Sequence, residues 1–480
     1  MLYIWPMMGK IFAAIAILLA ITASCHAILR RRDPRAAVAW VLALWLFPFL
    51  GSILYYFFGI NRIERKALRL RRRARMRAVG PPHGTREASP SRIESPHLKA
   101  LARVVEGAVQ RPLLPGNAVR PLINGEEAYP AMLKAIDEAK HSIGLSSYIF
   151  NHDSAGELFI AALIRAADRG VQVRVLIDDV GAGYFWPGVF RQLEAKNVPV
   201  AYFMPTFAPW RISYFNMRNH RKILTVDGHI GFTGGINIHE GHFVQRQPPP
   251  RGLTEDIHYE LRGPVVAQMQ ETFRLDWCFT TEEWLEGPAW FPKVVHEGNV
   301  LARGVPSGPD EDFEKSRWTI LGALAHAQKR VRIVTPYLIL DPGMMTAINL
   351  AAMSGVQVDV VLTSATDLAL VKWACQAMLW QVLERGVHVW KTPPPFNHSK
   401  MMTVDGAWAV FGSTNMDPRS LRLNFEFDVE CYDESLAHKM DKIIDARIAT
   451  AKRITLEEMD SRPLPIKFRD GLARLAAPFL

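Results

Sequence analysis

Cysteine is scarce in this chain of 480 residues. Cys25, Cys278, Cys375 and Cys431 show neither a Cys-x-x-Cys pair nor the Cys/His spacing of a metal site. That excludes a disulfide framework and a structural zinc site, and leaves the four as buried, reduced thiols. Formal charge is missing from two long stretches. Ile11 to Leu29 carries none before Arg30, and Ala36 to Ile60 none before Arg62. Either run is long enough to cross a hydrocarbon core about 30 Å thick. A cleaved signal peptide is the weaker reading of the first, because its n-region holds only Lys10 and a second apolar run follows at once. Residues 1–61 are therefore expected to form a two-helix membrane hairpin, with Trp5, Trp40, Trp45, Tyr55 and Tyr56 among its interface anchors. Pro48 and Gly51 leave a re-entrant path open for the second run.

Positive charge is what the chain has in excess. Lys and Arg number 57 against 47 Asp and Glu, a net charge of +10, which suits an anionic partner, either membrane phospholipid or nucleic acid. Much of the excess is local: Arg62, Arg65, Lys66, Arg69, Arg71, Arg72, Arg73, Arg75 and Arg77 stand against Glu64 alone. The hairpin loop carries Arg30, Arg31, Arg32 and Arg35. The larger cluster is expected on the cytoplasmic side, together with the long C-terminal part. Pro, Gly, Ser and charge dominate Val79 to Pro96, so residues 62–109 read as a basic juxtamembrane segment and linker.

Beyond the linker the chain repeats itself. A helical stretch around Tyr129 to Lys140 precedes the apolar run Ser142 to Phe150, a helix from Gly156 to Arg169, and Gly170-Val-Gln-Val173 entering a strand. Phe313 to Gln328, Val331 to Leu340, Pro342 to Ser354 and Gly355-Val-Gln-Val358 repeat that order. An internal duplication explains this. Alternating strands and helices predict α/β units around a mostly parallel sheet, in two similar domains over 110–295 and 296–480, packed face to face.

Each half contains His-x-Lys-x4-Asp-x6-Gly-x2-Asn: His220, Lys222, Asp227, Gly234 and Asn237, then His398, Lys400, Asp405, Gly412 and Asn415. The runs Lys222 to Val226 and Lys400 to Val404 are β-rich and end in Asp-Gly, the dipeptide of tight type I′ hairpins. Residues two apart on a strand share a face, so each His points with its Lys. Asp227 and Asp405 fall at the turns. They belong to the catalytic motif, but they read as capping the turn or pairing a lysine rather than as proton carriers. A phosphodiester anion repels nucleophiles, so Lys222 and Lys400, with Asn237, Asn415 and Ser413 as further donors, are expected to converge on one phosphate. One histidine then attacks phosphorus while the other acts as acid and base. No residue set offers a metal site, and His26, His229, His239 and His258 read as ordinary surface or packing histidines. Phe207 to Arg218 interleaves aromatics with cations, as an anionic membrane interface or stacked nucleobases would require.

On these motifs the sequence resembles the phospholipase D superfamily, and with its apolar N-terminus it looks like the bacterial cardiolipin synthases. The resemblance extends over Phe58-Gly59-Ile60-Asn61, Asn219-His220-Arg221-Lys222, Gly234-Gly235-Ile236-Asn237, Gly412-Ser413-Thr414-Asn415-Met416-Asp417-Pro418-Arg419-Ser420, Asn424-Phe425-Glu426 and the short apolar tail Arg474 to Leu480. It departs where Gly235 replaces the serine of the second copy, where the first copy lacks the Asp-x-Arg-Ser run, and at Arg422-Leu423, where an aromatic is often found. The resemblance implies two phospholipase D-type α/β domains in a pseudo-twofold unit at the inner cell membrane. It also implies phosphatidyl transfer between two phosphatidylglycerol molecules, giving cardiolipin and glycerol without a cofactor, metal or nucleic acid. Hydrolysis by water is the alternative fate of the same phosphatidyl-histidine. By resemblance His220 is the nucleophile and His398 the acid/base, although the residues alone leave the roles interchangeable. Family members hold each imidazole with a downstream carboxylate, and the matching candidates are Glu426 for His398 and Asp256 for His220.

Overall fold

Proline and glycine punctuate the apolar N-terminus and decide how it folds. A computed structural model describes residues 4–30, 34–59, 93–181, 188–205, 217–250, 252–366 and 368–477. Arg31, Arg32, the basic run Arg62 to Arg77, most of the linker, Phe207 to Asn216 and the final Pro478 to Leu480 lie outside the described residues. The N-terminal helices form one compact unit. In it Ile4–Arg30 is a single helix, whereas the second apolar run divides into Pro34–Leu46, Pro48–Leu54 and one π-helical turn, Tyr55–Gly59. The break falls at Phe47, ahead of Pro48, whose ring bars a continuous helix. Gly51 permits close approach there, since a Cβ would lie 2.5 Å from the Ala43 carbonyl oxygen. Among the described residues one helix, Gly9–Arg30, is long and apolar enough to cross a membrane. The expected second uninterrupted span is therefore a broken one. Ala27, Leu44 and Tyr55 are buried between the segments, and His26 Nδ1 meets the Tyr55 hydroxyl at 2.8 Å.

The remaining described residues form a second unit. Its first half contributes β1 (Leu114–Ile123), β2 (Ser142–Ser147), β3 (Gln172–Asp178), β4 (Val200–Phe203), β5 (Ile223–Val226), β6 (Ile230–Gly234), β7 (Thr254–Glu255) and β8 (Ile257–Arg262). The second contributes β9 (Val300–Ser307), β10 (Arg330–Val334), β11 (Gln357–Thr363), β12 (His388–Thr392), β13 (Phe396–Asn397), β14 (Met401–Val404), β15 (Trp408–Gly412), β16 (Glu426–Tyr432) and β17 (Lys452–Ile454). Read outward from the middle, one half runs β1-β8-β6-β5-β2-β3-β4 and the other β9-β16-β15-β14-β10-β11-β12-β17. The order matches over seven strands of each half, with β17 added at the outer edge of the second, and is the duplication made visible.

Two expectations change here. In the large sheet only β2-β3-β4 and β10-β11-β12 run parallel, because helical crossovers join them, while short turns force the motif hairpins and their neighbours antiparallel; the separate two-stranded pair of β7 and β13 is also parallel. The halves also do not simply pack face to face. Antiparallel pairing of β1 with β9, at Leu114 with Ala302 and Asn117 with Val300, runs one sheet through both. Matched helices cover it. Ser154–Asp168 and Pro342–Met353 are each capped by an aspartate, Asp153 or Asp341, whose carboxylate accepts two backbone N–H groups of the first turn. Residues 96–109, placed in the linker by composition, form a helix that buries Leu98, Leu101, Ala102, Val105 and Val109 against the core of the second half. Its apolar positions recur at three and four residues, a period that the neighbouring charges obscure.

Candidate active site

Each motif reaches the site by pairing with the opposite half. The His220 N–H donates to Phe425 O at 2.9 Å, beside a bridge between Asn219 and Phe425. In the other half β13 pairs with β7, and the His398 N–H donates to Glu255 O at 2.8 Å. These two seams bring the imidazoles together, with ring centroids 6.3 Å apart and planes at 85°. They also set the carboxylates. His220 Nδ1 faces Glu426 Oε2 at 3.1 Å, and His398 Nδ1 faces Asp256 Oδ2 at 2.9 Å. This reverses the expected pairing: each carboxylate holds the histidine of the other half. The residue before each carboxylate is bonded to the opposing histidine's backbone, so the carboxyl group is delivered across the seam.

Lys222 donates to the carbonyl of its own His220 at 2.7 Å, and Lys400 does the same to His398. The i, i+2 geometry of a strand places both ammonium groups beside both rings. His220, Lys222 and Lys400 are at most 9% exposed, and Asp256 and Glu426 are fully buried. Asn237 accepts from the Ile149 N–H through Oδ1 at 3.2 Å, and Asn415 is buried in the second half. Ser413, expected on the phosphate, has a different task. Its hydroxyl donates to Glu426 Oε2 at 2.5 Å, while Asn424 Nδ2 donates to Oε1 at 3.2 Å. The first copy has no room for such a hydroxyl, because a Cβ on Gly235 would lie 2.3 Å from both Asp256 oxygens. The Gly/Ser asymmetry thus matches the Asp/Glu one.

Asp227 and Asp405 lie at the far ends of the motif strands. Asp227 accepts the N–H groups of Lys140, His141 and Ser142 at 2.7–2.9 Å, and Asp405 those of Gln328, Lys329 and Arg330 at 2.8–2.9 Å. Both occupy positive φ before a glycine, as a type I′ turn demands.

Two residues that motif reading passed over also build the site. Arg221, pointing away from His220 and Lys222, is buried and binds Asp276 Oδ1 at 2.5 Å, Glu426 O at 2.9 Å and Ser307 O at 3.1 Å. The strand alternation that aims His and Lys inward is the signal that would have found it. Tyr148 packs its ring 4.9 Å from that of His220, with Lys222 Nζ 5.4 Å from its centroid. It follows β2 and belongs to no motif. Arg218, from the aromatic and cationic strip, is buried against Asp178 rather than offered to an interface. His242 and His258 are buried packing histidines, and no cluster of metal ligands occurs among the described residues.

Burial governs the electrostatics. It lowers His220 well below the usual imidazole range, helped by the Lys222 and Lys400 ammonium groups, and with Lys400 it brings His398 to about 4. Lys222 is pushed down to about 7 by burial, with Glu426 opposing. Glu426 rises to about 7 for the same reason, with Lys222 opposing. Burial would raise Asp256 too, but the His398 hydrogen bond and the Lys400 charge hold it at about 2. At neutral pH both imidazoles are therefore neutral, and a carboxylate facing each Nδ1 favours the tautomer that leaves the Nε2 lone pair available.

Two aimed imidazoles between two ammonium groups, on a duplicated α/β sheet, define a protein that handles an anionic phosphoryl group by histidine chemistry. The profile described as "Cardiolipin synthase, PLD-like domain" matches residues 132–277 and 320–448, and that described as "Phospholipase_D-nuclease N-terminal" matches residues 18–59. The chain belongs to the cardiolipin synthase family of phospholipase D-like proteins. It is 31% identical to the major cardiolipin synthase ClsA of Bacillus subtilis (strain 168), over 94% of this chain and 95% of that one. It is 32% identical to cardiolipin synthase A of Pseudomonas putida (strain GB-1), over 96% of each. The fold is shared with the crystal structure of phosphatidylserine synthase from Haemophilus influenzae Rd KW20, at a TM-score of 0.63 and 15% identity, covering 79% of this chain and 100% of that one.

Proposed function

We propose that this chain is a membrane-bound phosphatidyltransferase that condenses two phosphatidylglycerol molecules into cardiolipin and glycerol. The observation that carries the reading is the approach of two imidazoles to 6.3 Å, each backed by a buried carboxylate and flanked by Lys222 and Lys400. The ammonium groups, with Asn237 and Asn415, take the nonbridging oxygens of the first lipid. His398 first takes up a proton at Nε2 as the phosphate anion enters beside it; His220 Nε2 then attacks phosphorus, the bond to the headgroup glycerol breaks, and His398 gives that Nε2 proton to the leaving oxygen. A headgroup hydroxyl of the second lipid then attacks phosphorus as His398 takes its proton, and the P–N bond breaks to free His220. Glu426 and Asp256 hold the Nδ1 protons throughout. The roles of His220 and His398 are carried over from the family.

The apolar helix Gly9–Arg30 supports membrane attachment. In this reading the broken second run returns through the inner membrane, and the basic run beginning at Arg62 keeps the catalytic halves on the cytoplasmic side. The test is incubation of the purified chain with labelled phosphatidylglycerol in vesicles. Cardiolipin and free glycerol are expected in equal amounts, and excess glycerol should reverse the reaction. Phosphatidic acid as the dominant product would instead make water the acceptor and the chain a phosphodiesterase.

A further inference from the structure

In the catalytic unit, helix Leu464–Leu475 turns its apolar side outward. Its inward positions, Asp470 and Ala473, are buried, and Asp470 is neutralised by Arg462 and Arg469, each at 2.7 Å. Leu464, Phe468, Leu472 and Leu475 are 81%, 69%, 52% and 73% exposed. Steps of three and four residues place them along one stripe, which in a water-facing helix would lie against a core. Helix Ala369–Gln376 packs beside it, with the Arg469 guanidinium 4.5 Å from the centroid of Trp373. That helix opens with exposed Leu368 and Leu370. The exposed charges of the two helices, Lys372, Arg469 and Arg474, are all positive.

Helix Ala369–Gln376 also follows β11, whose end lies beside the residue before His398. The chain leaving β11 toward Leu368 is tied down by Ser364 N–H donating to Thr392 O at 3.0 Å. At the same strand end the N–H of Asn397, the residue before His398, donates to Thr363 Oγ1 at 3.3 Å. We propose that these two helices seat the catalytic unit on an anionic bilayer, so that a lipid headgroup enters the cleft without its chains leaving the membrane. A second copy of the chain would set like charges against each other, whereas anionic headgroups complement them while the apolar stripe enters the acyl boundary. The surface rests on its own geometry; only its use for substrate delivery rests on the lipid-transfer reading.

The test is a labelling rate that needs no turnover. Full-length chains carrying Leu472→Cys or, as a control in the first half, Lys134→Cys are placed one per nanodisc of phosphatidylcholine with phosphatidylglycerol. Each is reacted with a water-soluble maleimide and read by peptide mass spectrometry. Leu472→Cys should react at least tenfold more slowly than Lys134→Cys, and adding Leu464→Glu and Phe468→Glu should remove most of that protection. Equal rates at the two positions, or protection that appears only with two chains per disc, would overturn the proposal. Protection without any cardiolipin formation would leave the docking surface standing and remove the lipid-transfer reading.

Discussion

At the residue scale the catalytic unit stores electrostatic cost around its paired imidazoles. Two ammonium groups are held in one buried cleft, where burial lowers Lys222 to about 7. Lys222→Met removes a buried charge without leaving a hole, so it should raise the thermal midpoint while abolishing transfer. Vanadate should raise the midpoint of the unaltered chain and fail to do so in the variant, which differential scanning calorimetry would read. Proton linkage adds a pH signature. His398 sits near 4 in the folded chain and near 6.5 unfolded, so between those values the unfolded state binds the extra proton. Stability is therefore lost as pH falls from about 6.5 to about 4, by about 3 kcal/mol from this group. His398→Asn should flatten that part of a plot of melting temperature against pH. An unchanged acid limb would refute the assignment.

At the scale of elements, the motif hairpins were legible because strand alternation and the Asp-Gly turn are local. His220 with Lys222 and His398 with Lys400 could be placed on one face by spacing alone, and Asp227 and Asp405 at a turn by backbone preference. Each of these aspartates bonds three successive backbone N–H groups where the chain enters the neighbouring strand. Asp405→Ala should therefore cost about 1–3 kcal/mol in denaturant titrations, with turnover per folded molecule nearly unchanged; a large fall in that turnover would make Asp405 catalytic after all. Pro48 shows the opposite case. Hydropathy reads through it, but the backbone cannot, so an apolar run of spanning length becomes two short helices and a π-helical turn.

For the whole molecule, the decisive feature is the exchange of carboxylates between halves. Glu426 was expected behind His398 because it follows that residue in the chain, yet it holds His220, and Asp256 holds His398. Glu426→Gln should lower turnover about a hundredfold or more. A double-mutant cycle should show strong coupling of Glu426 to His220 across the halves. Additive losses for that pair would refute the crossed arrangement. It also follows that neither half expressed alone contains a complete histidine and carboxylate pair, so the two should regain activity only when mixed and refolded together.

The sequence by itself determined what local periodicity encodes: the duplication, the hairpins, the His and Lys that share a face, and the apolar start of the chain. Tertiary structure decided the rest, namely which carboxylate serves which imidazole, the edge-to-edge joining of β1 and β9, Ser413 behind Glu426 and Arg221 clamping the strand that carries it. Those contacts join residues up to 206 positions apart. Their geometry depends on how two folded halves dock, and no spacing along one chain specifies that.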